Sequence, residues 1–135
     1  MSIDNANPTE WSDLSDKPSN PKQQYGDLKV PLQLVPAAAT AYMAMGLKEG
    51  ARKYGPFNWR ETDVEAMTYV GAVLRHLSAY VDGEDIDPES GNPHLAHAMA
   101  SLAILVDASE GDTLIDNRPP SGPAAKTLSK FKSNA

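Results

Sequence analysis

The amino-acid sequence predicts an all-α fold. Ala37–Lys53 is a run rich in alanine and methionine, with high helix propensity. Two later stretches, 62–83 and 92–111, set apolar residues at helical spacing between start and stop signals. Most of the eleven prolines lie towards the two ends and leave these stretches uninterrupted.

In chain order, residues 1–24 are rich in Asn, Asp, Ser and Pro and read as an irregular arm, either docked through Trp11 or disordered. Tyr25–Val35 is mildly apolar, and Pro31 argues against a central strand there. Pro36 suits the first position of a helix, where its missing N–H costs nothing. Tyr42, Met43, Met45 and Leu47 form the expected buried stripe of that helix. Ala37, Ala38, Ala41 and Ala44 would admit a close neighbour, and Gly55-Pro56 ends the helix.

Thr62-Asp63-Val64-Glu65 matches the capping-box pattern, with Thr62 as N-cap. Met67, Val70, Leu74, Leu77 and Val81 then share one face of a helix of about five turns, which Gly83 stops. Arg75 lies off that stripe, where a ligand can meet it. Asn92-Pro93 opens another helix as N-cap and first residue. Leu95, Met99, Leu102 and Val106 supply its core face, and Gly111 ends it. Residues 112–135 carry Pro119, Pro120, Gly122 and Pro123, then Lys126, Lys130 and Lys132. This reads as a flexible basic tail, free in solvent or folded onto an acidic body or a neighbouring subunit. The folded domain is thus expected over 25–111. So few apolar helices leave faces uncovered in a monomer, so the bundle is expected to be completed by homo-oligomerisation.

Composition removes several classes of function. The net charge of -6 offers no global basic field for DNA or RNA, so no nucleic-acid partner is expected. Absence of cysteine excludes disulfides, thiolate catalysis and cysteine-based zinc sites. No apolar run approaches the ~20 residues needed to span a bilayer, and no charged-then-apolar pattern opens the chain. The expectation is a cytoplasmic domain with no membrane partner.

Three constellations carry chemistry. The turn after Gly83 packs Glu84, Asp85, Asp87 and Glu89 into six residues, a source of carboxylate oxygens for a hard divalent cation or of solvated caps for the next helix. It does not match an EF-hand. His94 and His97 are three apart on one helix and point into the same space. They suit hydrogen bonding, metal ligation or phosphate binding, and with His76 they also admit a zinc site. The third constellation is GARKYGPFNWR, residues 50–60, with three cations, three aromatics and two glycines between helices. Its aromatics can stack on a base and its cations can meet phosphates, or the segment is a packed turn. It is not a P-loop, since no GKS/T segment is present.

GARKYGPFNWR, then RHLSAYVDGEDIDPESG (75–91), then HLAHAMASLAIL (94–105), resemble the signature blocks of the phage dATP/dGTP diphosphohydrolase family. That family includes dGTP-cleaving enzymes of phages that replace adenine by 2-aminoadenine, and it belongs with the MazG-like all-α nucleoside triphosphate pyrophosphohydrolases. The likeness runs from about Val30 to Asp107. It implies a MazG-like helical bundle assembled as a dimer or tetramer. It also implies Mg²⁺- or Mn²⁺-dependent cleavage of a purine deoxynucleoside triphosphate to the monophosphate and pyrophosphate. One departure is clear: the wider superfamily uses an ExxE pair on one helix and an ExxD pair on the next. This sequence has no such ExxE, and His94-Leu-Ala-His97 sits roughly where the ExxD pair would start.

On this reading Glu84, Asp87, His94 and His97 are the catalytic candidates, and Glu84, Asp87, Glu89 and His97 the metal ligands. Lys53, Tyr54, Asn58, Trp59, Arg60 and Arg75 would bind substrate, with Arg52 in support. The alternatives are a non-catalytic helical module that binds a nucleotide or a protein, and a zinc phosphohydrolase using His76, His94 and His97.

Overall fold

A computed structural model describes Pro18 and residues 20–133; the expected contact of Trp11 lies outside them. The chain divides into two units, Met1–Pro36 and Ala37–Ala135. In the first, helix α1 (Pro21–Gly26) is capped by the Asn20 side chain, which accepts the Lys22 amide at 2.9 Å, and Leu32–Leu34 forms one 3-10 turn.

The second unit is built from three long helices: α2 (Ala37–Tyr54), α3 (Ala66–Val81) and α4 (His94–Glu110). Helix α4 packs against both of the others. It can do so because Ala96, Ala98, Ala100 and Ala108 are buried on it, and small side chains let two neighbours approach one helix. The tightest approach is at Gly46 of α2. A methyl group there would overlap the Ala96 carbonyl oxygen and lie 2.7 Å from Ala100 Cβ.

The apolar stripes expected from periodicity are therefore only partly the faces that pack within the chain: Leu47 joins the core, and several others do not. Val81 of α3 is 80% exposed, and Leu74 is also exposed, whereas Ala66 and Val73 are buried. On α4, Leu102 and Val106 face outward while the alanines face in. On α2, Tyr42 and Met45 are exposed and Gly46 is buried. Helical spacing finds an apolar face, but it does not say which neighbour covers that face, and small residues win the interior here by allowing backbones to close up.

A compact apolar cluster of Trp59, Val64 and Ala108 anchors the end of the bundle near the α4 C-terminus, with Leu47, Tyr69, Ile104, Leu105 and Leu114 around it. Val64 belongs to a two-residue strand, β1 (Val64–Glu65), paired in parallel with β2 (Leu114–Ile115). That pairing changes the start of α3. Thr62 is not its N-cap: the Thr62 hydroxyl donates to the Asn58 carbonyl at 3.1 Å, and the helix begins at Ala66. The capping role passes to Asn117, fifty residues on, whose side-chain oxygen accepts the Met67 amide at 2.8 Å. Residues 113–117, at the start of the expected tail, are thus tied to the helical body. Beyond them a seven-residue helix, α5 (Ala124–Lys130), is exposed along its whole length. Helix α4 begins at His94, one residue later than the Asn92-Pro93 signal suggests, with Pro93 in the cap position.

Candidate active site

The acidic turn is exposed along most of its length but closed by backbone hydrogen bonds. Gly83, at φ +95°, takes the chain out of α3 in the left-handed conformation that glycine adopts without steric cost. The Asp87 amide then donates to the Asn92 carbonyl (2.8 Å), the Gly91 amide to the Asp87 carbonyl (2.7 Å), and the His94 amide to the Asp85 carbonyl (2.9 Å). Closure turns the Asp87 carboxylate inward, where it accepts the Glu89 amide at 3.0 Å and lies 3.7 Å from His97 Nε2.

The three histidines meet above this loop. His76 comes from the last turns of α3, and His94 and His97 from the first turn of α4. His94 is buried, with Nε2 2.7 Å from a Glu84 carboxylate oxygen and Nδ1 2.8 Å from His76 Nδ1. An ionised carboxylate only accepts, so Glu84 places the His94 proton on Nε2 and leaves Nδ1 with its lone pair. His97 stacks on His76, with centroids 4.7 Å apart and planes 17° from parallel, and its Nε2 lies 2.6 Å from Ser90 Oγ. Burial, and then the neighbouring His97 and His94, lower the pKa of His76 from its ordinary 6.5.

His76, Asp87 and His94 bring together ligand atoms that all lie within 4.8 Å of one another. Modest side-chain movement from that spacing reaches the about 2.0–2.2 Å bonds of a shared divalent ion. Two imidazole nitrogens and one carboxylate oxygen fit a borderline divalent cation better than one that prefers only oxygen. The residues present thus fit a metal, and Glu84 meets His94 from outside the three.

Two clefts adjoin at this point. A histidine cleft of about 380 Å³ is lined by the three histidines with Asp87, Glu89 and Ser90. An aromatic cleft of about 320 Å³ is lined by Tyr54, Trp59 and Tyr69, with Asn58, Glu49 and Ser101 among its polar groups. Lys53, Arg75 and His97 line both. Trp59 forms a fixed wall: it is buried, and its indole N–H donates to Asp107 at 2.7 Å.

The cations sort into two sets. Arg52 is held by Glu49 at 2.7 Å, Arg60 by Asp107 at 2.8 Å, and Arg118 by Asp116 at 2.8 Å. Among the described residues, Lys53 and Arg75 have no carboxylate partner and face the junction of the clefts.

Of the residues expected from sequence, the structure gathers Asp87, His94, His97, Lys53 and Arg75 around the histidine cleft. Glu84 stands behind His94, and Glu89 is exposed at the rim of the histidine cleft. Tyr54, Asn58 and Trp59 line the aromatic cleft, whereas Arg60 lines neither. Sequence reasoning did not single out Glu49, Tyr69, Ser90 or Ser101. A signal was present for two of them: Gly46, Glu49, Gly50 and Lys53 share a helical face, as do His97, Ala100, Ser101 and Ile104.

The profile of the dATP/dGTP diphosphohydrolase N-terminal family matches residues 19–118. The chain belongs to that family. Every lining residue of both clefts falls in the matched segment, and so does the strap at residues 113–117. A dATP/dGTP diphosphohydrolase of Salmonella phage PMBT28 is 34% identical over 93 residues, which cover 69% of this chain and 29% of that relative. The chain therefore spans under a third of the length of this family relative. No solved structure matches it.

Proposed function

We propose that the chain is a metal-dependent pyrophosphohydrolase that cleaves a purine deoxynucleoside triphosphate, dGTP foremost, to the monophosphate and pyrophosphate. The setting would be a phage 2-aminoadenine pathway in the host cytoplasm, and the working form a homo-oligomer of MazG-like bundles. Family membership supports the reaction class. The observation that carries the reading is the adjoining pair of clefts, one aromatic and one rich in metal ligands, with the unpaired Lys53 and Arg75 at their junction.

Tyr54, Trp59 and Tyr69 would enclose the base, and the free Asn58 amide would meet its edge. Lys53 and Arg75 would take the charge of the triphosphate, where positive groups facing the leaving pyrophosphate stabilise the transition state. Asp87, His76 and His94 would hold the divalent ion, and Glu84 would keep His94 in the tautomer that ligates through Nδ1. When bound, that ion supplies charge neutralisation on the phosphates and acidifies water. His97, facing both clefts, would accept the proton that the attacking water gives up, with Ser90 fixing its ring.

Of Mg²⁺ and Mn²⁺, the two-imidazole donor set favours Mn²⁺. The same donor set favours a second reading, in which the ion is zinc.

The test is pyrophosphate release from dGTP, dATP and the ribonucleotides by chelator-stripped protein, with Mg²⁺, Mn²⁺ or Zn²⁺ restored singly. The expected result is release from dGTP with Mn²⁺ and none without metal. Nucleotide binding with no pyrophosphate under any metal would overturn the reading in favour of a non-catalytic binding module.

A further inference from the structure

We propose that α5 of one copy docks into the apolar groove on α2 and α4 of a second copy. The groove has a volume of about 540 Å³. Met43 of α2 and Met99, Leu102, Ala103 and Val106 of α4 line it, and Asp107 and Glu110 close one end. Leu102 and Val106 are the large side chains that periodicity assigns to the interior and the fold leaves outside. Burying them offers about 25 cal/mol per Å² of apolar surface removed from water.

Helix α5 has the matching features. Seven residues are far below the ~12–15 at which an isolated helix becomes even marginal in water, so a docked face must hold it. Among the described residues none covers it along its length, because every residue of the helix is exposed. Leu128 and Phe131 lie three apart and share one side, each 76% exposed.

Charge points the same way. Residues 119–135 contain Lys126, Lys130 and Lys132 and no acid, on a chain of net -6, so the remainder carries -9. Asp107 is already paired with Arg60, and among the described residues Glu110 is the carboxylate at the end of the groove without an ion pair. The opposite charges of tail and body raise the encounter rate and set the docking direction.

Connectivity favours a second copy over the same one. Pro119, Pro120, Gly122 and Ala124 run beside Met67 and Val70 of α3, whereas the groove is built from α2 and α4. Pro119, Pro120 and Pro123 stiffen the short connection to α5, which runs along α3 rather than along the groove.

The native chain has no cysteine, so single-cysteine variants report contacts cleanly. Val106→Cys protein would be mixed with Phe131→Cys protein, or with Leu128→Cys, under mild oxidant, with Val106→Cys plus Glu61→Cys as the collision control. A reducible heterodimer formed roughly tenfold above the control is expected, since a disulfide needs Cα atoms within about 7 Å. Cross-linking at control level from both tail positions overturns the proposal. So does a Val106→Cys/Phe131→Cys double variant that closes only within one chain. None of these measurements uses nucleotide, so the proposal stands or falls separately from the proposed reaction.

Discussion

A carboxylate oxygen of Glu84 lies 2.7 Å from Nε2 of His94, across the turn that joins α3 to α4. Half-exposed Glu84 therefore acts on the buried ring from its outer edge, and the inner nitrogen is left to face His76 and Asp87. On the proposed reading Glu84 would orient a metal ligand from outside the three ligating residues.

Glu84→Gln tests this placement. The amide can donate as well as accept, so it no longer dictates which nitrogen of His94 carries the proton. Mn²⁺ affinity measured by calorimetry is expected to fall about 10–100-fold, the range for removing an outer-sphere partner. Asp87→Asn, in contrast, is expected to abolish measurable Mn²⁺ binding. Equal small losses for both would place the ion elsewhere.

Lys53, Arg75 and Arg52 are expected to separate in steady-state kinetics. Lys53→Ala and Arg75→Ala each remove an unpaired charge at the cleft junction. A charge-assisted hydrogen bond contributes about 1.5–3 kcal/mol, so each variant should lose about 10–100-fold in kcat/KM for dGTP. Arg52→Ala, whose guanidinium already serves Glu49, is expected to retain most of its activity. The reverse pattern would move the phosphates away from the junction.

Much of this site was legible in the sequence because its residues are local. Glu84 to His97 form one loop and one helical turn, so spacing alone brings Asp87, His94 and His97 together. His76, in the last turns of α3, enters the sequence reading only in the alternative zinc site, and its place beside Asp87 and His94 depends on how the turn closes. The same limit explains Arg60: it sits between Trp59 and Glu61 in a cationic motif, but its partner is Asp107, 47 residues away. The all-α class and the ends of the helices at Gly55, Gly83 and Gly111 follow from propensity and breakers. The interior does not, because alanine gives no hydrophobic peak and Leu74, Leu102 and Val106 do. Nor does the start of α3, where Thr62-x-x-Glu65 presents a valid local cap and Asn117, from the segment beyond α4, takes the job instead.

That strap is itself testable. Asn117 caps α3 through Met67, and removing an N-capping side chain costs about 0.5–2 kcal/mol. Asn117→Ala is expected to lower stability by that amount in chemical denaturation. Protection of the α3 N-terminal amides from hydrogen exchange should fall with it, while protection in α2 stays unchanged. A loss spread evenly over all three helices would mean that Asn117 does not act through the cap.

Asp107 links the aromatic wall to acid stability. Its pKa lies below the ordinary 3.8, first through the hydrogen bonds from Arg60 and then through the Trp59 indole N–H. The folded state thus keeps the carboxylate ionised at a pH where the unfolded chain has already taken up a proton. Stabilisation from this group is complete above the unfolded pKa and is lost as pH falls through the lower, folded value. Asp116, at about 2 beside Arg118, is lost over the same acid range, so a bare pH profile would mix the two. The difference between the parent and Asp107→Asn isolates one of them. The variant is expected to melt at a lower temperature at pH 7, and its deficit should shrink as pH drops below about 4, because the parent is losing the interaction that the variant lacks. A deficit that stays constant from pH 7 to pH 2.5 would show that the carboxylate's charge contributes nothing there, leaving only the shape of the side chain against Trp59.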